Sequence, residues 1–205
     1  ALHSDLKQLG AGFKFIIAGA LASGFMLLGI IFTYYATGSL NIDLITGMMT
    51  PALQSAGFIG LFLVFIGVMI ELKPFPVNGW GLDAYHASIP PVSALVAAGT
   101  ATAMFYAFTK ISAMTGGMFL NASAFIGGLT FAGMNVLALK QTTARRLLGY
   151  SSISQVGLLV LTYSLVTLLD ITNGELIVFG LLVSHALAKA LLFWLAGIVG
   201  KESIN

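Results

Sequence analysis

Glu71-Leu-Lys-Pro-Phe-Pro-Val-Asn-Gly-Trp-Gly-Leu-Asp-Ala-Tyr-His-Ala-Ser-Ile-Pro-Pro-Val-Ser93 is the one long stretch in which this chain stops being apolar. It holds four of the five prolines, two of the seven acids and one of the three histidines, and charge-free apolar segments flank it on both sides. Pro74 and Pro76 each remove a backbone donor and push Lys73 and Phe75 out of helical geometry. A helix arriving from residue 54 therefore breaks near Glu71. Pro90 and Pro91 sit where a following helix begins, a position that tolerates proline. Function turns on whether the break lies at a membrane surface or inside the membrane.

That a membrane is involved follows from composition. Hydrophobic residues make up 58% of the chain and charged residues 8%, against roughly 25% charged in soluble domains; mean hydropathy is +0.99. With no cysteine, disulfides, thiolate metal sites and iron–sulfur ligation are excluded. A formal charge of +2 is too small for a nucleic-acid footprint. Of His3, His86 and His185 only the last lies deep in a span, so a bis-histidine haem site is not expected. The absence of an initiator Met points to a piece of a longer polypeptide.

Windows of about 20 apolar residues mark the spans. Six are expected: about Phe13–Tyr35, Pro51 to the Glu71 break, Pro90–Lys110, Phe119–Leu139, Tyr150–Leu169 and Leu176–Gly200. Residues 36–43 should turn the chain. The fold class is thus all-α membrane protein with six transmembrane helices. With six crossings, Lys7, Lys14, Lys140, Arg145, Arg146 and Lys201 fall on one side, against Lys110 with Asp43, Asp170 and Glu175 on the other. The positive-inside rule makes the Arg145–Arg146 loop cytoplasmic. The glycines, Gly116-Gly117 and Gly127-Gly128 among them, read as ordinary close helix packing.

Several charges are out of place. Lys189 lies roughly 17–20 Å from either end of its span at 1.5 Å per residue, beyond the reach of a snorkelling lysine. A charge at that depth usually faces a polar or water-filled interior. His185 shares its helical face four residues earlier. Both can load and release a proton, and so form a candidate relay; the plainer alternative is a structural lysine bonded to a neighbouring carbonyl. Glu71 and Lys73 are harmless if the second span ends at the far interface. If instead it continues through Trp80 to His86, they flank a discontinuous helix of the kind that holds ions in transporters. Lys14, one turn into the first span, reads as a snorkelling lysine or, from a faint echo between the stretches at Lys14 and Lys189, as a repeat partner. Lys140 with Arg145 and Arg146 reads as an interfacial anchor.

Four stretches carry a family resemblance: Gly12-Phe-Lys-Phe15 with Tyr35-Ala-Thr-Gly-Ser-Leu40; Pro76-Val-Asn-Gly-Trp80 through Asp83-Ala-Tyr85 and Pro91-Val-Ser-Ala94; Gln141-Thr-Thr-Ala-Arg-Arg-Leu-Leu-Gly-Tyr-Ser-Ser-Ile-Ser-Gln-Val-Gly157; and His185-Ala-Leu-Ala-Lys189-Ala-Leu-Leu-Phe193. They resemble the antiporter-like, proton-conducting membrane subunits shared by respiratory complex I, membrane-bound hydrogenases and Mrp-type cation/proton antiporters, above all the branch of the second NADH dehydrogenase membrane subunit. The resemblance implies a fold of about fourteen helices in two inverted repeats. Residues 1–112 would end the first repeat and 117–205 begin the second, with the break at Glu71 inside the membrane.

It also implies proton, or in the antiporter reading Na+, translocation by Glu71, Lys73, His185, Lys189, Lys14 and Lys140. Pro74, Pro76, Asn78, Trp80, Pro90 and Pro91 would shape the broken helix. No cofactor is expected in this chain; iron–sulfur clusters, flavin or a NiFe centre would sit in partner subunits, in a bacterial or archaeal cell membrane. The sequence departs from the family pattern at Glu71, where a lysine is usual, at Asn78 for a histidine, and at Ala101 for the central lysine of the next helix. Thr143 and Arg145 are further departures, in the loop motif. Two rivals remain at this stage: an Mrp-type antiporter module without redox partners, and a non-conducting subunit that only braces the membrane arm.

Overall fold

The computed structural model describes residues 2–48, 54–115 and 117–199, and all the elements it describes are helical. In order they are α1 (Leu2–Thr37), α2 (Ile42–Met48), α3 (Gln54–Glu71), α4 (Gly79–Ala87), α5 (Pro90–Ala94), a π-helical turn (Leu95–Thr100), α6 (Ala101–Met114), α7 (Leu120–Ala138), α8 (Ala144–Leu168) and α9 (Gly174–Val199). The α5 segment, the π turn and α6 run on as one span, Pro90–Met114; with α1, α3, α7, α8 and α9 this makes six helices long and apolar enough to cross a membrane.

Several boundaries differ from the sequence expectation. The first helix begins at Leu2 rather than near Phe13, so Lys14 lies about three turns into it rather than one. Thr37–Asn41 makes the expected turn, but Asn41 Oδ1 then accepts the Asp43 N–H at 3.0 Å and starts the short α2, because asparagine just before a helix caps its free N–H groups. Arg145 and Arg146 lie not in a loop but in the first turn of α8; arginine is a good helix former, and a hydropathy window alone discards it. Pro51, Gly116, Gly200 and Lys201 fall outside the described residues.

Two helix pairs pack most intimately, α1 with α3 and α7 with α8. Between them the apolar interior divides into two main clusters. The first holds Phe65, Val68, Leu72, Phe105, Phe108, Val156 and Val178; the second holds Leu82, Tyr85, Ala97, Met134, Tyr150, Ile153 and Phe193. Along the spanning helices that contribute to both, the boundary between the clusters falls at polar or irregular residues: residues 73–78 between α3 and α4, the end of the π turn between Ala97 and Ala101, Thr130 on α7, Ser154 and Gln155 on α8, and His185 with Lys189 on α9. A polar layer thus separates two apolar plugs.

Candidate translocation site

The break in the second span builds one side of this layer. At the end of α3 the chain closes with Leu72 N–H to Val68 C=O and Lys73 N–H to Ile70 C=O, both 3.0 Å. Lys73 then takes a left-handed conformation, φ 59°, common at helix C-termini though usually as glycine. Neither Pro74 nor Pro76 has a donor to offer. The remaining donor, Phe75 N–H, is satisfied from outside by Thr130 Oγ1 of α7 at 3.0 Å, and Asn78 Nδ2 donates to the Met134 sulfur at 2.9 Å. Gly81 and Leu82 N–H bond the Asn78 carbonyl and open α4.

Depth follows from these partners. Thr130 is the eleventh of the nineteen residues of α7, roughly 12–15 Å from either end. Glu71 faces the middle of α1: a Cβ placed on Gly19 would lie 3.9 Å from its carboxylate oxygen. The break therefore sits mid-span, with its polar backbone groups facing protein, as a discontinuous helix requires.

Lys73 is 2% exposed. Its Nζ donates to the Glu71 carbonyl at 3.0 Å and stands 5.0 Å from the Trp80 ring centroid and 5.9 Å from that of Tyr85. Across the layer Lys189, also 2% exposed, donates to Ser151 Oγ of α8 at 2.7 Å. His185 is held at both ring nitrogens: Nε2–H donates to the Ala97 carbonyl and Nδ1 meets the Gln155 side-chain amide, each at 3.1 Å. Ala97 lies in the π turn, whose altered ladder suits a backbone carbonyl bonded from outside. Tyr85 packs against Phe193, one turn beyond Lys189, at 5.4 Å.

The structure thus gathers Lys73, His185 and Lys189 in one layer, with Asn78 and Trp80 beside the first and the Glu71 side chain directed toward α1. Lys14 stands apart, 60% exposed, and pairs with Asp83 of α4 at 2.5 Å; Phe15 meets the Trp80 edge beside it. Gly19, which faces the break, is only five residues further along α1, so the pair stands about 7.5 Å from that depth and its exposed side faces the surface that lipid covers. Asp83→Asn, which leaves Lys14 there without its carboxylate, is expected to lower the melting temperature of the assembly while leaving proton flux nearly unchanged. A tenfold loss of flux would place this pair in the path. Lys140 is exposed just past α7, and Pro90 and Pro91 open α5.

Sequence reading did not point to Gln155, Thr130 or Met134, although Gln155, like Ser151, falls inside the quoted Gln141–Gly157 stretch. Ala97 contributes only backbone, and its side chain carries no signal. Ala101 is buried in the first apolar cluster, where a charge would have no partner. Trp80 Nε1 and Ser152 Oγ are buried without a partner among the described residues, as groups that hold water often are.

Comparison with known proteins shows the family of the chain. The profile of the family described as NADH:quinone oxidoreductase/Mrp antiporter, TM, matches residues 2–204. Among curated relatives, the NADH-quinone oxidoreductase subunit N of Desulforudis audaxviator is 34% identical over 96% of this chain, and that of Myxococcus xanthus 32% identical over 78%. The chain spans only 40% and 32% of their lengths. Among solved structures it is similar to a chain of the membrane-bound sulfane sulfur reductase, an archaeal respiratory membrane complex (30% identity, TM-score 0.77, 94% of this chain and 40% of that one). It is also similar to chains of the Mrp complex from a Dietzia species (27%, 0.80, 93% and 35%) and of respiratory complex I from Thermus thermophilus (29%, 0.70, 92% and 40%).

Proposed function

We propose, from the premise that this chain belongs to the NADH:quinone oxidoreductase/Mrp antiporter transmembrane family, that it carries protons across a cell membrane as one subunit of a multisubunit complex whose electron transfer occurs in partner subunits. The observation that carries this reading is the polar layer between two apolar plugs, with two ammonium groups and one imidazole at mid-span depth. Charges are kept there against a penalty of a few kcal/mol at least, and a relay is what titratable groups at that depth are suited to. Lys189 and His185 are the carriers. Ser151, bonded to Lys189, both donates and accepts and so can pass a proton on. Lys73 is the charge at the break, with Glu71 and Asn78 beside it. The Arg145 end of the bundle is the cytoplasmic side. Iron–sulfur, flavin or NiFe chemistry belongs to the partners.

Where the family pattern has a central lysine, Ala101 offers none. The connection runs instead from α9 to the break through the His185 ring, which bonds the π turn four residues before Ala101. His185→Gln keeps a hydrogen-bonding side chain but removes the titratable ring. It is expected to slow proton flux by at least about tenfold in proteoliposomes holding the intact complex, read with a pH-sensitive dye. Unchanged flux would remove His185 from the path.

A second reading is a cation/proton antiporter module, favoured by the Glu71 carboxylate beside the break, since carboxylates bind hard cations. Na+-dependent proton flux in the absence of any electron donor separates the two. The third, a brace that conducts nothing, predicts that no substitution in the polar layer alters pumping.

A further inference from the structure

Resting on that reading, we infer that Lys73 is not a proton carrier but a tethered fixed cation, seated in a cage of its own that Gly81 makes possible and that would accept a free small alkylammonium ion if the tether were removed. The cage has three walls. The Glu71 carbonyl accepts from Nζ at 3.0 Å, at the end of α3 where the helix dipole favours positive charge. The Trp80 and Tyr85 rings stand 5.0 and 5.9 Å from the ammonium, within the range of cation–π attraction. Each of these groups attracts the charged form, and neither a carbonyl nor a π face takes the proton away. Lys189 differs: its partner is a hydroxyl, which relays.

The floor of the cage is Gly81. A Cβ there would lie 2.5 Å from Lys73 Cδ, 3.1 Å from Cε and 3.2 Å from Cγ, so any side chain at position 81 displaces the lysine stem. Two peculiarities of the sequence thus explain each other. The lysine comes two residues after the position that Glu71 occupies, and its left-handed backbone, φ 59°, lets the side chain fold back along Gly81 to the end of α3. Gly81 is a positioning residue: it touches no proton and sets where the charge sits relative to His185. The fixed charge then tunes His185 through space while the carriers on α9 turn over.

The test is chemical rescue of Lys73→Ala in the intact complex in proteoliposomes, with either ethylammonium or tetramethylammonium on both sides. Proton flux is expected to fall about tenfold, as loss of a unit charge acting on the relay through a low-dielectric interior would cause. Both cations should restore it, because tetramethylammonium carries charge but no proton and aromatic cages accept it. Adding Gly81→Val should abolish both rescues. Rescue by ethylammonium alone would make Lys73 a carrier and overturn the inference, as would unchanged flux or failure of both cations. If Lys73→Ala does not assemble, Lys73→Met keeps the stem and removes only the charge; about tenfold loss supports the fixed cation and full flux overturns it. Lys189→Met in the same membranes separates the two levels. If it too is silent, the relay reading itself fails; if only the Lys73 variants are silent, the cage alone is wrong.

Discussion

Lys189→Met is expected to reduce proton flux by about a hundredfold while leaving the complex assembled. The side chain is 2% exposed and lies among α8 and α9 side chains, where methionine fills the stem's volume with little rearrangement. What is lost is the ammonium and its 2.7 Å bond to Ser151. Ser151 Oγ can be re-solvated by water in the polar layer, so stability should fall by no more than about 1–2 kcal/mol. Lys189→Arg is the more discriminating variant. Guanidinium keeps the charge but gives up no proton under working conditions, so a carrier fails while a structural cation survives. Lys189→Arg is therefore expected to be as inactive as Lys189→Met. This is the opposite of the response expected at Lys73, where a cation without a proton suffices. The measurement is dye-monitored flux in proteoliposomes, with electron-transfer turnover recorded in parallel. Wild-type flux in Lys189→Arg would make the residue a structural charge.

Much of this site was legible because charge is rare in the chain. Lys189 and His185 stand out in an apolar run, and their spacing of four places them on one helical face whatever the fold. The break was equally legible, because Pro74 and Pro76 forbid a helix locally; its depth was open in the residues themselves, since that depends on which residue of α7 meets Phe75, and came only with the family resemblance. The partners were hidden for a related reason. Gln155 and Ser151 become ligands only through the packing of α8 on α9, and Ala97 acts through a carbonyl that every residue possesses. The cage around Lys73 joins residues 7 and 12 positions further along an irregular segment, where no periodicity predicts contact. Arg145 and Arg146 were assigned to a loop because span detection weighs polarity over helix propensity.

Because α8 serves both sides of the layer, its seat on α7 yields the other large effect. Gly157 of α8 and Gly127 of α7 face each other: a Cβ on Gly157 would lie 2.8 Å from Phe131 N and 2.9 Å from Gly127 O, and one on Gly127 would lie 2.7 Å from Leu161 N and 2.8 Å from Gly157 O. These neighbours are backbone atoms, which cannot swing aside, so a side chain must push the helices apart. Gly157→Leu is expected to prevent stable assembly, since forced overpacking costs several kcal/mol where nothing can relax. Gly157→Ala should allow assembly with a lower melting temperature and a disproportionate loss of flux. The reason is geometric. Ser151 and Gln155 on α8 hold Lys189 and His185, whereas Thr130 and Met134 on α7 hold the broken helix, so separating α7 from α8 moves the carriers away from the charge at the break. Thermal stability of the detergent-extracted complex and flux in proteoliposomes read the two effects separately. Should Gly157→Leu assemble and pump like the wild type, the α7–α8 contact would not be what holds the two halves of the layer in register.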